Sequence, residues 1–452
     1  MVENKNLLFI QADQSDLKET LSLWKDKSLV DYYFAKKLAP DGEDSLLLFL
    51  GDLLKAAREG HFCIRAKRSL PSYLFKEALV QEKDRVYLKR NWDCEQSFIH
   101  HYHRLKSEIP SISIPDPEFE AVLQLEQKQA ILHTFQRSLS LICGGPGTGK
   151  TFTAAVLIQK VIPYLKPIVA APTGKAAANL RHALDGICDV HTLQSLLKKQ
   201  YLGYDLVLVD EASMIDADLM TRLFSLINRG SRLVLVGDRD QLPPVETGHL
   251  FVDLAKDLTL VSELNKCLRT DLSRITEMAR AVKEGRSVEI LPIPDFATIS
   301  HAVFEERVSI LTPLRHTVDV LNKKLLKEGH HRGGHRFPIM ICVNDPSVEL
   351  YNGDVGELIP DEKCAYFGKK RVPECLLPRY DYAYVISVYK SQGSEYDEVM
   401  ILLPEGSEVF GREMLYTAIT RAKKKVTIYG SEEVLRQILE KKEHRLSGLN
   451  CS

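Results

Sequence analysis

Between Phe119 and about Val261, short apolar runs alternate with stretches whose apolar residues recur at helical spacing. The runs are LSLICGG from Leu139, PIVAAPT from Pro167, DLVLVDEAS from Asp205 and RLVLVGD from Arg232. Runs rich in Val, Ile and Leu that end in Gly, Pro or Asp read as strands buried on both faces. With helical crossovers between them they predict a parallel α/β sheet whose chemistry sits at the strand ends. A second set follows: VSILTPL (308–314), AYVISVYKSQG (383–393), EVMILLP (398–404) and KVTIYGS (425–431). Between its first two strands, residues 331–382 are rich in Pro, Gly and short β runs, and NGDVG at Asn352–Gly356 reads as a hairpin turn. This piece is predicted to be a small β-barrel-like insertion. The segment to about residue 108 reads as mostly helical. There Leu46, Leu47, Leu50, Leu53 and Leu54 form one stripe, and Gly60 stands where a helix C-terminal glycine belongs. Pro110, Pro115 and Pro117 then mark a linker. The predicted domains are 1–108, 119–261 and 262–452, the last carrying the insertion at 331–382.

Composition narrows the class. A chain of 452 residues with 44% hydrophobic content can build several ordinary cores. No run approaches the roughly 20 apolar residues of a membrane span, and the opening MVENKNLLFIQADQSD lacks a signal peptide's basic lead and continuous apolar stretch. No membrane partner and a cytoplasmic address are expected. Nine scattered cysteines without C-x-x-C suggest buried free thiols rather than disulfides or a metal cluster. A net charge of −1 argues against coating duplex DNA by bulk attraction, although it allows a narrow basic channel. Residues 1–108 hold 18 Lys+Arg against 17 Asp+Glu and form no cationic platform. The histidines of HHYH (100–103) and GHHRGGH (329–335) lack the partnering pattern of a metal site.

The run Gly144-Gly145-Pro146-Gly147-Thr148-Gly149-Lys150-Thr151 matches G-x-x-x-x-G-K-[ST] between an apolar strand and a helix predicted over Phe152–Val161. Glycines let backbone N–H groups wrap phosphates, Lys150 adds a cation for the β and γ groups, and the Thr151 hydroxyl is offered to Mg2+. A P-loop NTPase using ATP and Mg2+ is expected. About 60 residues downstream, the strand Leu206–Val209 runs into Asp210-Glu211-Ala212-Ser213. Asp210 can hold the magnesium through water and Glu211 can orient or deprotonate the attacking water, so the reaction class is triphosphate hydrolysis.

Gly237-Asp238-Arg239-Asp240-Gln241-Leu242-Pro243-Pro244 resembles motif III of superfamily 1 helicases, which makes Gln241 the γ-phosphate sensor. Further motifs resemble that family in its order. In Leu125-Glu126-Gln127-Lys128-Gln129, Gln129 is assigned to the adenine. In Ala171 to Ala177, the loop Pro172, Thr173 and Gly174 grips the strand. His191-Thr192-Leu193-Gln194 contributes Thr192, and Leu268-Arg269-Thr270 and Tyr416 to Ala422 contribute the arginines Arg269 and Arg421. Both arginines come from the second α/β domain and reach the γ-phosphate only when the domains close. Lys390 to Glu395 resembles motif V, in which Gln392 lies on the strand and Glu395 nears the ribose. Ser387-Val388-Tyr389-Lys390 stands where that family reads Thr-x-His-Lys, and Ser387 and Tyr389 keep a hydroxyl and a flat donor-bearing ring for strand contact.

KSQGSE, GGPGTGKT and GDxxQLPP together resemble the RecD family over roughly Leu125 to Gly430. The resemblance implies two RecA-like parallel-sheet motor domains, a small helical N-terminal domain and an SH3-like insertion. It further implies a DNA helicase moving 5′ to 3′ on single-stranded DNA, acting at DNA ends with RecB and RecC partners in an exodeoxyribonuclease V complex. LVDYYFAKKLA and the leucine-rich helix resemble the region that docks on RecC, whereas the longer N-terminal region of free-standing relatives, with helix-hairpin-helix elements, is not found. No spaced Asp, Glu and Lys set outside the motor motifs makes a nuclease site, so nuclease activity is expected in a partner. A free-standing RecD-like helicase without RecB and RecC stays open, as does an RNA-directed motor, because recognition of a 2′-hydroxyl leaves no legible pattern.

Overall fold

The computed structural model describes residues 24, 27–66, 70–75, 78–119, 121–198, 203–268, 273–331, 336–442 and 445–449. They partition into two units. In the first, helix Leu29–Leu38 opens on a capping box in which Asp31 N–H donates to Ser28 Oγ (3.3 Å) and Ser28 N–H donates to Asp31 Oδ2 (2.9 Å). Asp31 is buried, and Arg58 Nε answers its charge at 3.0 Å. The second helix, Asp44–Arg58, buries Leu46, Leu47, Leu50 and Leu53 as its stripe predicts, and Gly60 follows its end at φ +90°. The helical reading missed a three-stranded antiparallel sheet: β1 (Cys63–Arg65), β2 (Leu79–Glu82) and β3 (Arg85–Leu88), in the order β1-β3-β2.

Two segments distant in sequence also belong to this unit, Val245–Gly248 and Arg445–Gly448. Leu446 N–H donates to His61 Nδ1 (2.9 Å), its carbonyl accepts from Phe62 N–H (2.9 Å), and Gly448 N–H donates to Glu95 Oε1 (2.7 Å). The predicted assignment of 262–452 to one motor domain is corrected here, since these bonds fix the C-terminal segment to the first unit. The predicted boundary at 108 moves as well. It falls after Gln96, inside helix Lys89–Ser107, because Phe98 packs on Phe224 (ring centroids 4.8 Å) and Tyr102 donates to Asp257 (2.8 Å) in the second unit.

In the second unit a six-stranded parallel sheet runs in the order β6-β5-β7-β8-β4-β9. Its strands are β4 (Leu139–Gly144), β5 (Pro167–Ala171), β6 (Val190–Thr192), β7 (Leu206–Val209), β8 (Arg232–Gly237) and β9 (Val261–Leu264). β4, β7 and β8 are buried at every position, as apolar runs without alternation predict. β9 pairs with β4, so the first motor domain continues past the predicted end at 261. The Pro-rich linker is fastened to this sheet: Ser111 N–H donates to the Gly230 carbonyl (2.9 Å), and the buried Arg232 donates to the carbonyls of Ile112 (2.7 Å) and Phe135 (2.8 Å).

A four-stranded parallel sheet follows, formed by β10 (Ser309–Thr312), β16 (Val385–Ser387), β17 (Tyr396–Leu403) and β18 (Ala422–Gly430) in the order β16-β10-β17-β18. Between β10 and β16 lies the predicted insertion, a five-stranded antiparallel sheet. It comprises β11 (Phe337–Ile341), β12 (Val355–Ile359), β13 (Cys364–Phe367), β14 (Lys370–Pro373) and β15 (Tyr380–Tyr382). NGDVG is not a two-residue hairpin but the return of a longer loop into β12, with Gly353 at φ +93°. Ile339, Leu358 and Ala365 of the insertion share a core with Ile310, Val385 and Met400 of the parallel sheet, which holds the insertion to the second motor domain. Among the described residues no helix is long and apolar enough to cross a membrane, and the cysteines are free.

Candidate functional site

β4 ends at Gly144, and the chain turns through Gly147 (φ +72°) and Gly149 (φ +81°) into helix Lys150–Val161. A methyl group at Gly144 would lie 2.8 Å from the Leu264 carbonyl oxygen, so the close approach of β9 demands glycine there. Thr148 Oγ1 closes the turn by donating to the Gly145 carbonyl (2.9 Å). Lys150 Nζ donates to the carbonyls of Gly144 (2.7 Å) and Gly145 (2.9 Å), which makes the lysine part of the cradle it faces. The helix N-terminus adds the positive end of its dipole.

β7 delivers Asp210 and Glu211. Thr151 Oγ1 donates to Asp210 Oδ2 (3.2 Å), and Glu211 N–H donates to Asp210 Oδ1 (2.8 Å). Burial, reinforced by the charge of Glu211, pushes Asp210 up to about 6 against the pull of the Glu211 N–H, Lys150 and Thr151. A buried carboxylate in that state is short of positive charge. Glu211 is held in the left-handed region at φ +53°, and its Oε2 is buried without a partner among the described residues. Such a position costs on the order of 1–3 kcal/mol, and strain of this kind gathers at functional sites. Thr151 and Asp210 present two hard oxygens side by side, and with an orphaned acid oxygen nearby the donor set fits Mg2+ carried in on phosphates. Among the described residues no cluster of three His, Cys, Asp or Glu forms a separate metal site. Gln241, at the end of β8, is buried. Its Nε2 donates to Asp238 Oδ2 (3.3 Å) and its Oε1 has no partner among the described residues.

The second motor domain supplies the opposite wall. Arg421 is buried: Nε donates to the Thr417 carbonyl (3.1 Å), Nη1 to the Ser394 carbonyl (3.3 Å) and Nη2 to Thr420 Oγ1 (3.3 Å). Glu395 is exposed, with Lys423 Nζ at 3.7 Å. The two walls enclose a cavity of about 700 Å³ lined by the phosphate loop, Asp210, Glu211, Gln241, Glu395 and Arg421. Two bonds pin the walls together beside it: Tyr416 OH donates to Asp238 Oδ2 (2.8 Å), and Leu242 N–H donates to Thr417 Oγ1 (2.8 Å). Burial, then the charges of Asp238 and Asp240, raise the Tyr416 phenol well above its ordinary value and keep it a donor. Arg269 lies outside the described residues. Its neighbour Leu268 donates its N–H to the Gly147 carbonyl (2.9 Å) and lines the cavity.

The predicted base-binding residue is not brought to the cavity. Gln129 is exposed on helix Leu125–Gln136, while Gln127, two residues earlier and on the other face, is buried with Nε2 donating to the Thr148 carbonyl (3.4 Å). At about 100° per residue the two side chains diverge by roughly 200°, so it is Gln127 and not Gln129 that faces the phosphate loop. The predicted strand-binding residues hold their loops in shape. Thr173 Oγ1 caps helix Gly174–Leu184 by accepting from Ala176 N–H (3.1 Å), Thr192 Oγ1 accepts from Ser195 N–H (3.3 Å), and Ser387 Oγ accepts from Lys390 N–H (3.3 Å). Pro172 and Tyr389 are half-buried, the latter 6.5 Å from Phe410 between ring centroids. Gln392 Nε2 donates to the Leu242 carbonyl (3.5 Å), so it joins motif V to motif III. Two residues escaped the sequence reading. Tyr351, just before the NGDVG segment, lies over Gly174, where a methyl group would come within 2.3 Å of its Cβ. Lys175, assigned to the strand-gripping loop, lines the nucleotide cavity.

Comparison with known proteins gives a consistent picture. A model of an AAA domain matches residues 122–295, and a model of the UvrD-like helicase C-terminal domain matches residues 382–429. The RecBCD enzyme subunit RecD of Mycolicibacterium smegmatis is 31% identical, with 81% of this chain and 82% of that protein covered. The ATP-dependent RecD2 DNA helicase of Deinococcus radiodurans is 29% identical over 68% of this chain and 49% of its own length. Among solved structures, Pif1 helicases unwinding forked duplex DNA align at 20% identity with a TM-score of 0.49, covering 68% of this chain and 92% of that one.

Proposed function

Because the chain belongs to the RecD family of superfamily 1 DNA helicases, we propose that it is an ATP-driven motor moving 5′ to 3′ along single-stranded DNA, as one subunit of a RecBCD-type complex acting at DNA ends. The observation that carries the chemistry is one cavity walled by Lys150, Asp210, Glu211 and Gln241 on one side and Arg421 on the other.

Lys150 exchanges the carbonyls of Gly144 and Gly145 for the β and γ phosphates, and the loop N–H groups hold the remaining oxygens. Thr151 and, through water, Asp210 would hold Mg2+, which would neutralise phosphate charge. Glu211 Oε2, which has no partner among the described residues, takes the proton of the attacking water, and Gln241 Oε1 orients that water. Arg421 leaves its acceptors in the second motor domain for the γ-phosphate, so domain closure depends on the triphosphate. Gln392 and Tyr416, which touch the segment after β8, carry closure to the loops that hold the strand.

Family membership supports the direction of travel and the complex. A local feature supports a protein partner: Leu29, Val30, Tyr33 and Phe34 form an exposed apolar stripe on helix Leu29–Leu38. Single-stranded DNA is expected to stimulate hydrolysis, and Lys150→Ala to lower it about 100-fold or more. Wild-type hydrolysis by that variant overturns the motor assignment. Unwinding of 3′-tailed but not 5′-tailed duplexes overturns the direction. A chain that purifies alone from its source and unwinds unaided overturns the subunit assignment.

A further inference from the structure

Lys175 begins the first turn of helix Gly174–Leu184, directly after the loop Pro172–Gly174, yet its side chain lines the nucleotide cavity. Its hydrogen bond is to a neutral group: Nζ donates to Ser394 Oγ at 2.7 Å. Ser394 is the residue whose carbonyl accepts from Arg421 Nη1 (3.3 Å), so Lys175 and the arginine of the second motor domain flank one buried serine. Burial lowers the Lys175 ammonium from its ordinary value; Asp354 opposes this, and Lys423 and Arg421 add to it. A mostly buried ammonium whose hydrogen-bond partner among the described residues is a hydroxyl is incompletely compensated. Lys150, Arg421 and Lys423 line the same cavity as Lys175, opposite Asp210, Glu211 and Glu395, so its cations outnumber its acids by one where a polyanion would bind.

We propose that Lys175 is a second lysine contact to the γ-phosphate, leaving Ser394 Oγ for the terminal phosphate when the triphosphate binds. The inference rests on the motor reading above and deepens it at the same site. Arg421 is the residue that reaches the γ-phosphate, and Lys175 stands on the other side of the serine that holds Arg421 at rest. Moving the ammonium to the phosphate frees that serine as the arginine departs. The strand-gripping loop, one residue away in sequence, is thereby joined to the state of the nucleotide.

The test is equilibrium binding of a non-hydrolysable ATP analogue and of ADP, each with Mg2+, to the full chain and its variants. Lys175→Met is expected to weaken the triphosphate analogue about tenfold or more, the range of a charged hydrogen bond, with ADP affinity changed by less than about twofold. Lys175→Arg is expected to recover part of the loss. Ser394→Ala removes the resting partner, so it is expected to bind the analogue at least as tightly as wild type, the opposite sign from Lys175→Met. Equal loss for both nucleotides in Lys175→Met marks a structural role and overturns the proposal, as does wild-type affinity for both. Wild type that binds neither nucleotide overturns the motor reading, and this inference with it.

Discussion

The two walls of the nucleotide cavity are built on opposite plans. On the phosphate-loop wall, acceptors proposed for the reaction stand empty: among the described residues Glu211 Oε2 and Gln241 Oε1 are buried without partners, and Glu211 is held in a left-handed backbone. On the other wall, each nitrogen of Arg421 has an acceptor within its own domain. A buried polar atom left unpaired costs about 1–3 kcal/mol, so the first wall carries its cost at rest and the second carries none. The first wall is preorganised for chemistry. The second must give up its bonds to take part, and the γ-phosphate is the ligand whose charge can compensate it.

The sharpest way to break this contrast is Arg421→Ala. If the second wall acts only on closure, the variant loses about 1,000-fold or more in single-turnover hydrolysis while binding ADP close to wild type. Loss of ADP affinity comparable to its loss of rate would mean that Arg421 serves the resting site, and the contrast would fail. Tyr416→Phe probes the seam between the walls with a smaller expected effect. It removes one bond to the buried Asp238 carboxylate, which keeps Gln241 Nε2. Roughly tenfold slower DNA-stimulated hydrolysis is expected, with the stimulation by DNA reduced more than the rate without it. Equal reduction of the two rates would make the seam a general support instead of a coupling element.

The first wall was the more legible of the two in the sequence, for a physical reason. Its residues are consecutive at the ends of apolar strands, so naming the strand names the position of Lys150, Thr151, Asp210, Glu211 and Gln241. Gln129 failed because the choice between it and Gln127 depends on which face of helix Leu125–Gln136 meets the loop, and an amphipathic pattern with glutamines on both faces does not decide that. Lys175 and Tyr351 were missed because their roles arise from contacts 219 residues away in the first case and from a glycine in another domain in the second. The small sheet of the first unit was invisible for a different reason: β1, β2 and β3 have three or four residues each, too few to show alternation. Capture of Arg445–Gly448 by the first unit rests on hydrogen bonds to His61 and Glu95, 385 and 353 residues away, and from the Phe62 N–H, which no local pattern connects.

The smallest expected effect separates the walls by pH. Asp210 sits at about 6 in the folded chain, above its ordinary value of 3.8, because burial and Glu211 disfavour its charge. The folded state therefore binds this proton more tightly than the unfolded state. Its stabilising contribution is fully present below the ordinary value and is lost as pH rises through about 6. Without nucleotide, the thermal midpoint of wild type relative to Asp210→Asn is expected to fall by ~2 °C between pH 4.5 and 7, whereas Arg421→Ala should leave this slope in place. Mg2+ needs the ionised carboxylate, so affinity for the magnesium triphosphate should rise over the same window as Asp210 releases its proton. A slope that persists in Asp210→Asn would assign the proton elsewhere, and one abolished by Arg421→Ala would show that the second wall already bears on Asp210 before nucleotide arrives. Either result would end the division into a wall prepared at rest and a wall recruited by the triphosphate.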